Sequence, residues 1–261
     1  MKILIVSGFL GAGKTTFIKR LARNVDQRFA ILENEYGAAG IDGARLGQNR
    51  QGTQKNVWEM TEQCICCIGK KDFAASVLTI ANVVDPEYLI VEPTGVGSLA
   101  RIIENLRQIE YERIQLLSPV TIVDVYSYRR YMAEYPELYQ DQIRSADTII
   151  VSKTEACQAE EKQRIQKFLQ EINSQAKIIT DYASTMTRED YQSLLLGGRY
   201  EKEVQDTQSG EKMPETFSFE NIRMEAPETL WCFLEQIIRG AFGNIIRAKG
   251  QFAAGDQFFQ F

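Results

Sequence analysis

Short apolar runs rich in β-branched residues recur along the 261-residue chain, with amphipathic stretches between them. Ile3–Val6, Phe29–Leu32, Tyr88–Val91, Val120–Val125, Thr148–Val151 and Lys177–Thr180 read as buried strands. Between the first two, Phe17, Ile18, Leu21, Ala22 and Val25 recur at helical spacing. Ile165, Phe168, Leu169 and Ile172 likewise fit an i, i+3, i+4, i+7 face. Alternation of this kind implies parallel strands joined by right-handed crossover helices. The expected fold class is therefore α/β, a mainly parallel sheet flanked by helices.

That rhythm stops at Glu201–Glu215, a polar stretch of Gln, Asp, Ser, Gly and Pro that reads as a linker. Beyond it, Thr216–Met224 alternates like a strand, and Leu230, Phe233, Leu234, Ile237 and Ile238 form a helical face. Asn244–Ala248 looks like another strand, and Gln257–Phe261 like the beginning of one more. The expected division is a main domain over 1–200, a linker over 201–215 and a small α+β domain over 216–261, which reads as incomplete.

Composition narrows the function. Hydrophobic residues make up 44% and charged residues 25% of the chain, enough for a real core. The net charge of −5 argues against a nucleic-acid partner, which would call for a basic excess. No apolar run approaches the roughly 20 residues that span a bilayer, so no membrane partner is expected. Ile3–Val6 is too short for the core of a secretion signal, which points to the cytoplasm. Five cysteines, an odd count, suit thiols or metal ligands better than a disulfide framework. Histidine is absent, so any metal site must use thiolate and carboxylate, and any catalysis must proceed without imidazole.

Gly8-Phe-Leu-Gly-Ala-Gly13-Lys14-Thr15 satisfies the phosphate-loop pattern G-x-x-x-x-G-K-[ST], with a strand before it and a helix after. Glycines let backbone N–H groups turn onto phosphates, Lys14 reaches the terminal ones and the Thr15 hydroxyl ligates Mg²⁺. Gly11, Ala12, Gly13 and Thr16 complete the expected cradle. Glu92, ending the run Tyr88–Val91, stands where such enzymes place a second Mg²⁺ partner. Gly95 would allow close approach of a backbone N–H to the γ-phosphate. Ser152-Lys153-Thr-Glu155 has the position of the N-K-x-D base-recognition element, with Ser for Asn and Glu for Asp.

Cys64-Ile-Cys66-Cys67 brings three sulfurs within four positions, a soft site suited to Zn²⁺ or another late transition metal. Glu35 is the candidate fourth ligand, expected in a loop after the second strand. Buried inert thiols and a redox pair remain open readings of the same cysteines. Cys157, Cys232 and Trp58 read as packing residues.

Together these stretches resemble the CobW-type metallochaperone GTPases, relatives of the hydrogenase and urease nickel-insertion GTPases. The resemblance rests on the phosphate loop, Ile31–Gly37, Gly40-Ile-Asp42, Cys64–Cys67, Val91–Gly95, Ala146–Glu155 and Ile246–Gly250. It implies a P-loop NTPase fold, GTP binding and slow hydrolysis to GDP with Mg²⁺, and Zn²⁺ or Co²⁺ on the cysteine motif. It further implies delivery of metal to a client metalloenzyme and a nucleotide-dependent homodimer. This chain departs from the family pattern at Ala38, at Glu62-Gln63 before the first cysteine, and in lacking His-rich segments. Two rival readings keep the nucleotide: a switched chaperone for a cofactor-dependent enzyme, such as a corrinoid enzyme, with structural cysteines, and an ATP-using small-molecule kinase.

Overall fold

The computed structural model describes residues 1–27, 29–35, 57–63, 70–204, 217, 219, 223–224, 226–246, 248, 250–254 and 257–260. β1 (Lys2–Gly8) is apolar on both faces because the chain covers it on both, and it leads through the phosphate loop into α1 (Lys14–Asn24). β2 (Phe29–Glu35), β3 (Val57–Gln63), α2 (Lys70–Val83), β4 (Tyr88–Glu92), α3 (Leu99–Arg107) and the short β5 (Gln115–Leu116) follow. Next come β6 (Val120–Asp124), α4 (Tyr128–Glu134), α5 (Pro136–Arg144), β7 (Thr148–Ser152), α6 (Ala159–Ile172) and β8 (Lys177–Ile179). Two short helices, α7 (Tyr182–Thr185) and α8 (Arg188–Leu196), complete this part.

The main sheet has the order β3-β2-β4-β1-β6-β7-β8, with β5 also on β1, and every pairing in it is parallel. Successive residues of β1 face opposite layers. Ile3 and Ile5 join Leu32, Leu89 and Val91 under α2 and α3, whereas Leu4 and Val6 join Ile31 and Ile90 under α1, α7 and α8. A third cluster under α4, α5 and α6 includes Phe9, Val123, Val151, Tyr131, Tyr139 and Leu169. The α/β, mainly parallel fold expected from the alternation is the observed one.

In the main sheet, two details differ from expectation. β2 runs on to Glu35, so Glu33-Asn-Glu35 belongs to a strand and not to a loop. Its polar end passed for a loop because sequence hydropathy does not register backbone pairing, and here Glu33 pairs with both Thr61 and Glu92. β3 went unread because VWEMTEQ mixes polar and apolar residues; among the described strands it pairs only with β2, at an edge.

In the C-terminal part, β9 (Arg223–Met224), α9 (Pro227–Ile238), β10 (Gln251–Ala254) and β11 (Gln257–Gln260) form a helix and a second, three-stranded sheet. The strand expected over 244–248 does not form among its described residues, which are irregular. The expected linker falls mostly outside the described residues. Its first four residues lie on the main unit, where Val204 packs on the core and Lys202 donates to the Arg144 carbonyl at 2.9 Å.

Candidate functional site

In an open parallel sheet, ligands bind beyond the carboxyl ends of the strands, where the strand order reverses. Here that point is β1, flanked by β4 and β6, and the phosphate loop leaves it there. Gly13 starts α1 with φ +100°, a left-handed conformation that costs glycine nothing and turns the chain sharply into the helix. The Ala12 N–H donates to the Phe9 carbonyl at 3.2 Å, closing the loop on itself. Lys14 is buried, and its ammonium donates to the Gly8 carbonyl at 2.9 Å and the Phe9 carbonyl at 3.4 Å. Gly11 and Thr16 lie at the surface.

The sequence pair Thr15 and Glu92 meets. The Thr15 hydroxyl donates to the Glu92 carboxylate, 3.0 Å from Oε1 and 3.2 Å from Oε2. Converging hard oxygens of this kind, at a helix N-terminus beside a phosphate loop, suit Mg²⁺ carried by a nucleotide. Glu33, buried on β2, is the Cα partner of Glu92, which sets a second carboxylate on the same face of the sheet. Gly95 lies so close to the phosphate loop that a Cβ there would stand 2.5 Å from the Leu10 nitrogen. Only glycine allows that approach.

At the other end, Ser152 is buried and its hydroxyl donates to the Ala12 carbonyl at 2.6 Å. Lys153, at φ +61°, forms an ion pair with buried Asp124 at 2.7 Å. Glu155 is exposed. Asp181, just after β8, receives Lys162 at 2.6 Å. The Lys162 hydrogen bond, with help from Thr154, holds its carboxyl below the usual carboxylate range. Cys157 is partly buried against the third cluster, and Cys232 is exposed on α9, against the expectation of packing.

Cys64, Cys66 and Cys67, the expected soft-metal ligands, lie outside the described residues. Glu35 ends β2 as the Cα partner of Gln63, the last residue of β3 and the one before Cys64 in sequence. Among the described residues, no three His, Cys, Asp or Glu side chains cluster as a metal site.

Several supporting residues escaped the sequence reading. Asp124 was hidden inside the apolar run Val120–Val125, although an acid ending such a run is itself a signal. Asp141 and Gln142 on α5, and Tyr131 on α4, gave no local sign, because their partners are more than 40 residues away. Burial drives the Tyr139 phenol far above its ordinary range, so it serves as a packing group beside Phe9.

No helix among the described residues is long and apolar enough to cross a membrane. A family model described as CobW/HypB/UreG, nucleotide-binding domain, matches residues 2–180. The chain is 30% identical over 178 residues to the zinc chaperone YeiR of Escherichia coli, covering 67% of this chain and 53% of that protein. It is 27% identical over 209 residues to the zinc chaperone CobW of Pseudomonas aeruginosa, covering 69% and 56%. It thus spans about half the length of these relatives. The crystal structure of Zn(II)-bound YjiA GTPase from E. coli shares its fold, with TM-score 0.57 at 20% identity over 100% of this chain and 86% of the other. With the phosphate loop at the head of a matched segment that ends just past β8, the chain belongs to the CobW/HypB/UreG family.

Proposed function

We propose that this protein binds and hydrolyses GTP in the cytoplasm, and that the nucleotide state governs the binding of a transition metal and its delivery to a client metalloenzyme. The observation that carries the first half is the Thr15–Glu92 pair at the mouth of the phosphate loop. Lys14 and the loop N–H groups would hold the β- and γ-phosphates, with Lys14 exchanging its Gly8 and Phe9 carbonyls for phosphate oxygens. Thr15 and Glu92 would order the Mg²⁺ shell. Bound Mg²⁺ supplies positive charge against the charge that builds on the transferring phosphoryl group. Such hydrolysis needs positioning and electrostatics more than a strong base, so a chain without histidine can perform it. Glu155 retains a carboxylate able to pair with guanine, which supports GTP over ATP.

The second half rests on sequence order and on the relatives. Glu33 pairs with Glu92, and β2 carries any displacement there to Glu35, whose partner Gln63 precedes the Cys64–Cys67 motif. Thiolates favour Zn²⁺ or Co²⁺, and the two curated relatives described above are named zinc chaperones. Linkage requires that if GTP tightens metal binding, metal tightens GTP binding by the same factor.

The test is a Zn²⁺ and Co²⁺ titration against a competing chelator, with the protein empty, bound to GDP and bound to a non-hydrolysable GTP analogue. We expect metal affinity to differ at least about fivefold between the two nucleotide states. Equal affinities in all three would sink the coupling, and Cys66→Ser with Cys67→Ser should abolish the binding.

A further inference from the structure

We propose that Gln142 is a positioning residue for the hydrolysis, holding the segment after β4 at a set distance from the phosphate loop. The inference rests on the GTP hydrolysis proposed above. Gln142 lies on α5 with 1% of its surface exposed. Its side-chain amide donates to the Gly95 carbonyl at 3.1 Å and to the Gly97 carbonyl at 3.0 Å. The segment is thus gripped from one side by a buried side chain. On its other side it rests on the phosphate loop itself, where Gly95 leaves no room for a Cβ against Leu10.

The helix that carries this grip is fixed to the sheet. Thr121 on β6, the Cα partner of Ser7 on β1, donates its hydroxyl to the Gln142 backbone carbonyl at 2.8 Å. Asp141, the preceding residue, accepts the N–H of Leu99 at 2.6 Å and of Ala100 at 3.4 Å, capping the first turn of α3 from a distance of some 40 residues in sequence. The same support also holds the outer arm of the phosphate loop. The Tyr131 phenol donates to the Leu10 carbonyl at 3.2 Å, and the Phe9 ring packs on Tyr131, Tyr135 and Tyr139.

One body, α4 with α5, therefore grips both the phosphate loop at Leu10 and the Gly95 segment that packs against it. Hydrolysis by positioning depends on how these two segments are placed, because a misplacement of about 1 Å can cost a hundredfold in rate. On the proposed reading Gly95 approaches the γ-phosphate, which the diphosphate lacks. Gln142 therefore acts on turnover and not on affinity for the diphosphate. A buried structural glutamine with no such role would change stability and leave the kinetics of folded protein as they were.

Gln142→Met is the discriminating variant. Gln142 Oε1 meets no donor among the described residues, so methionine of equal length removes the two donated bonds without stripping a partner from that oxygen. Wild type and Q142M are compared with Mg²⁺ for kcat and KM on GTP, for GDP affinity by fluorescent analogue, and for thermal midpoint. We expect kcat to fall about tenfold, the worth of two neutral hydrogen bonds, with KM and GDP affinity within about twofold. An unchanged kcat in Q142M, beside a wild type that turns GTP over, overturns the positioning role and leaves the hydrolysis reading standing. A wild type that binds GTP without turnover overturns the hydrolysis reading and this inference with it. Should Q142M fail to fold, Gln142→Leu, which also removes the two donated bonds and buries no charge, carries the same expectation.

Discussion

The two ends of the nucleotide cleft are built differently. At the phosphate end, the groups proposed to act are backbone N–H groups, Lys14 and the Thr15–Glu92 pair, and the neighbouring contacts hold these groups in place. At the opposite end, the residues with the position of the base-recognition element are engaged within the protein. Ser152 braces Ala12, the exposed Lys153 is tied to buried Asp124, and Glu155 lies at the surface. The difference teaches that phosphate binding is common to any nucleotide, whereas on the proposed reading base choice would depend on few groups, of which Ser152 also supports the phosphate loop. A change at the first end should act on all triphosphates alike. A change at the second should act first through the loop it braces.

The comparison breaks most visibly at Glu92. Glu92→Gln keeps the shape and removes the charge, so Mg²⁺-dependent turnover of GTP should fall by about 10²–10³, while GDP binding changes little. Steady-state hydrolysis against Mg²⁺ concentration checks this; wild-type turnover in the variant would remove Glu92 from the site. A smaller effect is expected from Ser152→Ala. The Ala12 carbonyl loses a buried hydroxyl donor, so the apo protein should lose about 1 kcal/mol in denaturant unfolding. GTP and ATP affinities should weaken together in this variant. A selective loss of GTP would mean that Ser152 reads the base directly and that the two ends are not distinct in this respect.

The smallest effect is the pH dependence at Asp181. Its carboxyl is held low chiefly by the Lys162 hydrogen bond. A depressed carboxylate contributes stability that is present above the unfolded value, about 3.9, and is lost as pH falls through the folded value. Asp181→Asn keeps a residue that tolerates φ +56° and should lower the thermal midpoint by a few degrees at neutral pH. The gap between variant and wild type should close in acid below the folded value. A gap of constant size across that range would show that the ion pair with Lys162 contributes no linkage.

Hydrophobic exposure draws a second contrast. α1 buries Phe17, Ile18 and Leu21 completely, whereas α9, which also has a helical period, has no buried residue and leaves Trp231 at 76% and Ile238 at 85% exposure. The same periodicity therefore predicts a helix in both places and says nothing of what covers it.

Much was legible without coordinates. Apolar runs of four to six residues, spaced by helical faces, were enough for a parallel α/β sheet, because a strand buried on both faces must be apolar throughout. The phosphate loop was legible because its chemistry is local: eight consecutive residues, a strand before and a helix after. Thr15 and Glu92 were both named from sequence, but that they meet at 3.0 Å depends on β1 and β4 lying side by side. The polar end of β2 and the mixed β3 stayed hidden, since their backbone groups find partners only through strands distant in sequence. The same reason covers Asp124, Asp141 and Gln142, whose roles exist only across long separations. By itself the sequence determined what can bind phosphate, because glycine, lysine and threonine act through neighbours along the chain. Tertiary structure alone decided what holds the phosphate loop and the Gly95 segment against each other, because α4 and α5 grip two loops about 85 residues apart.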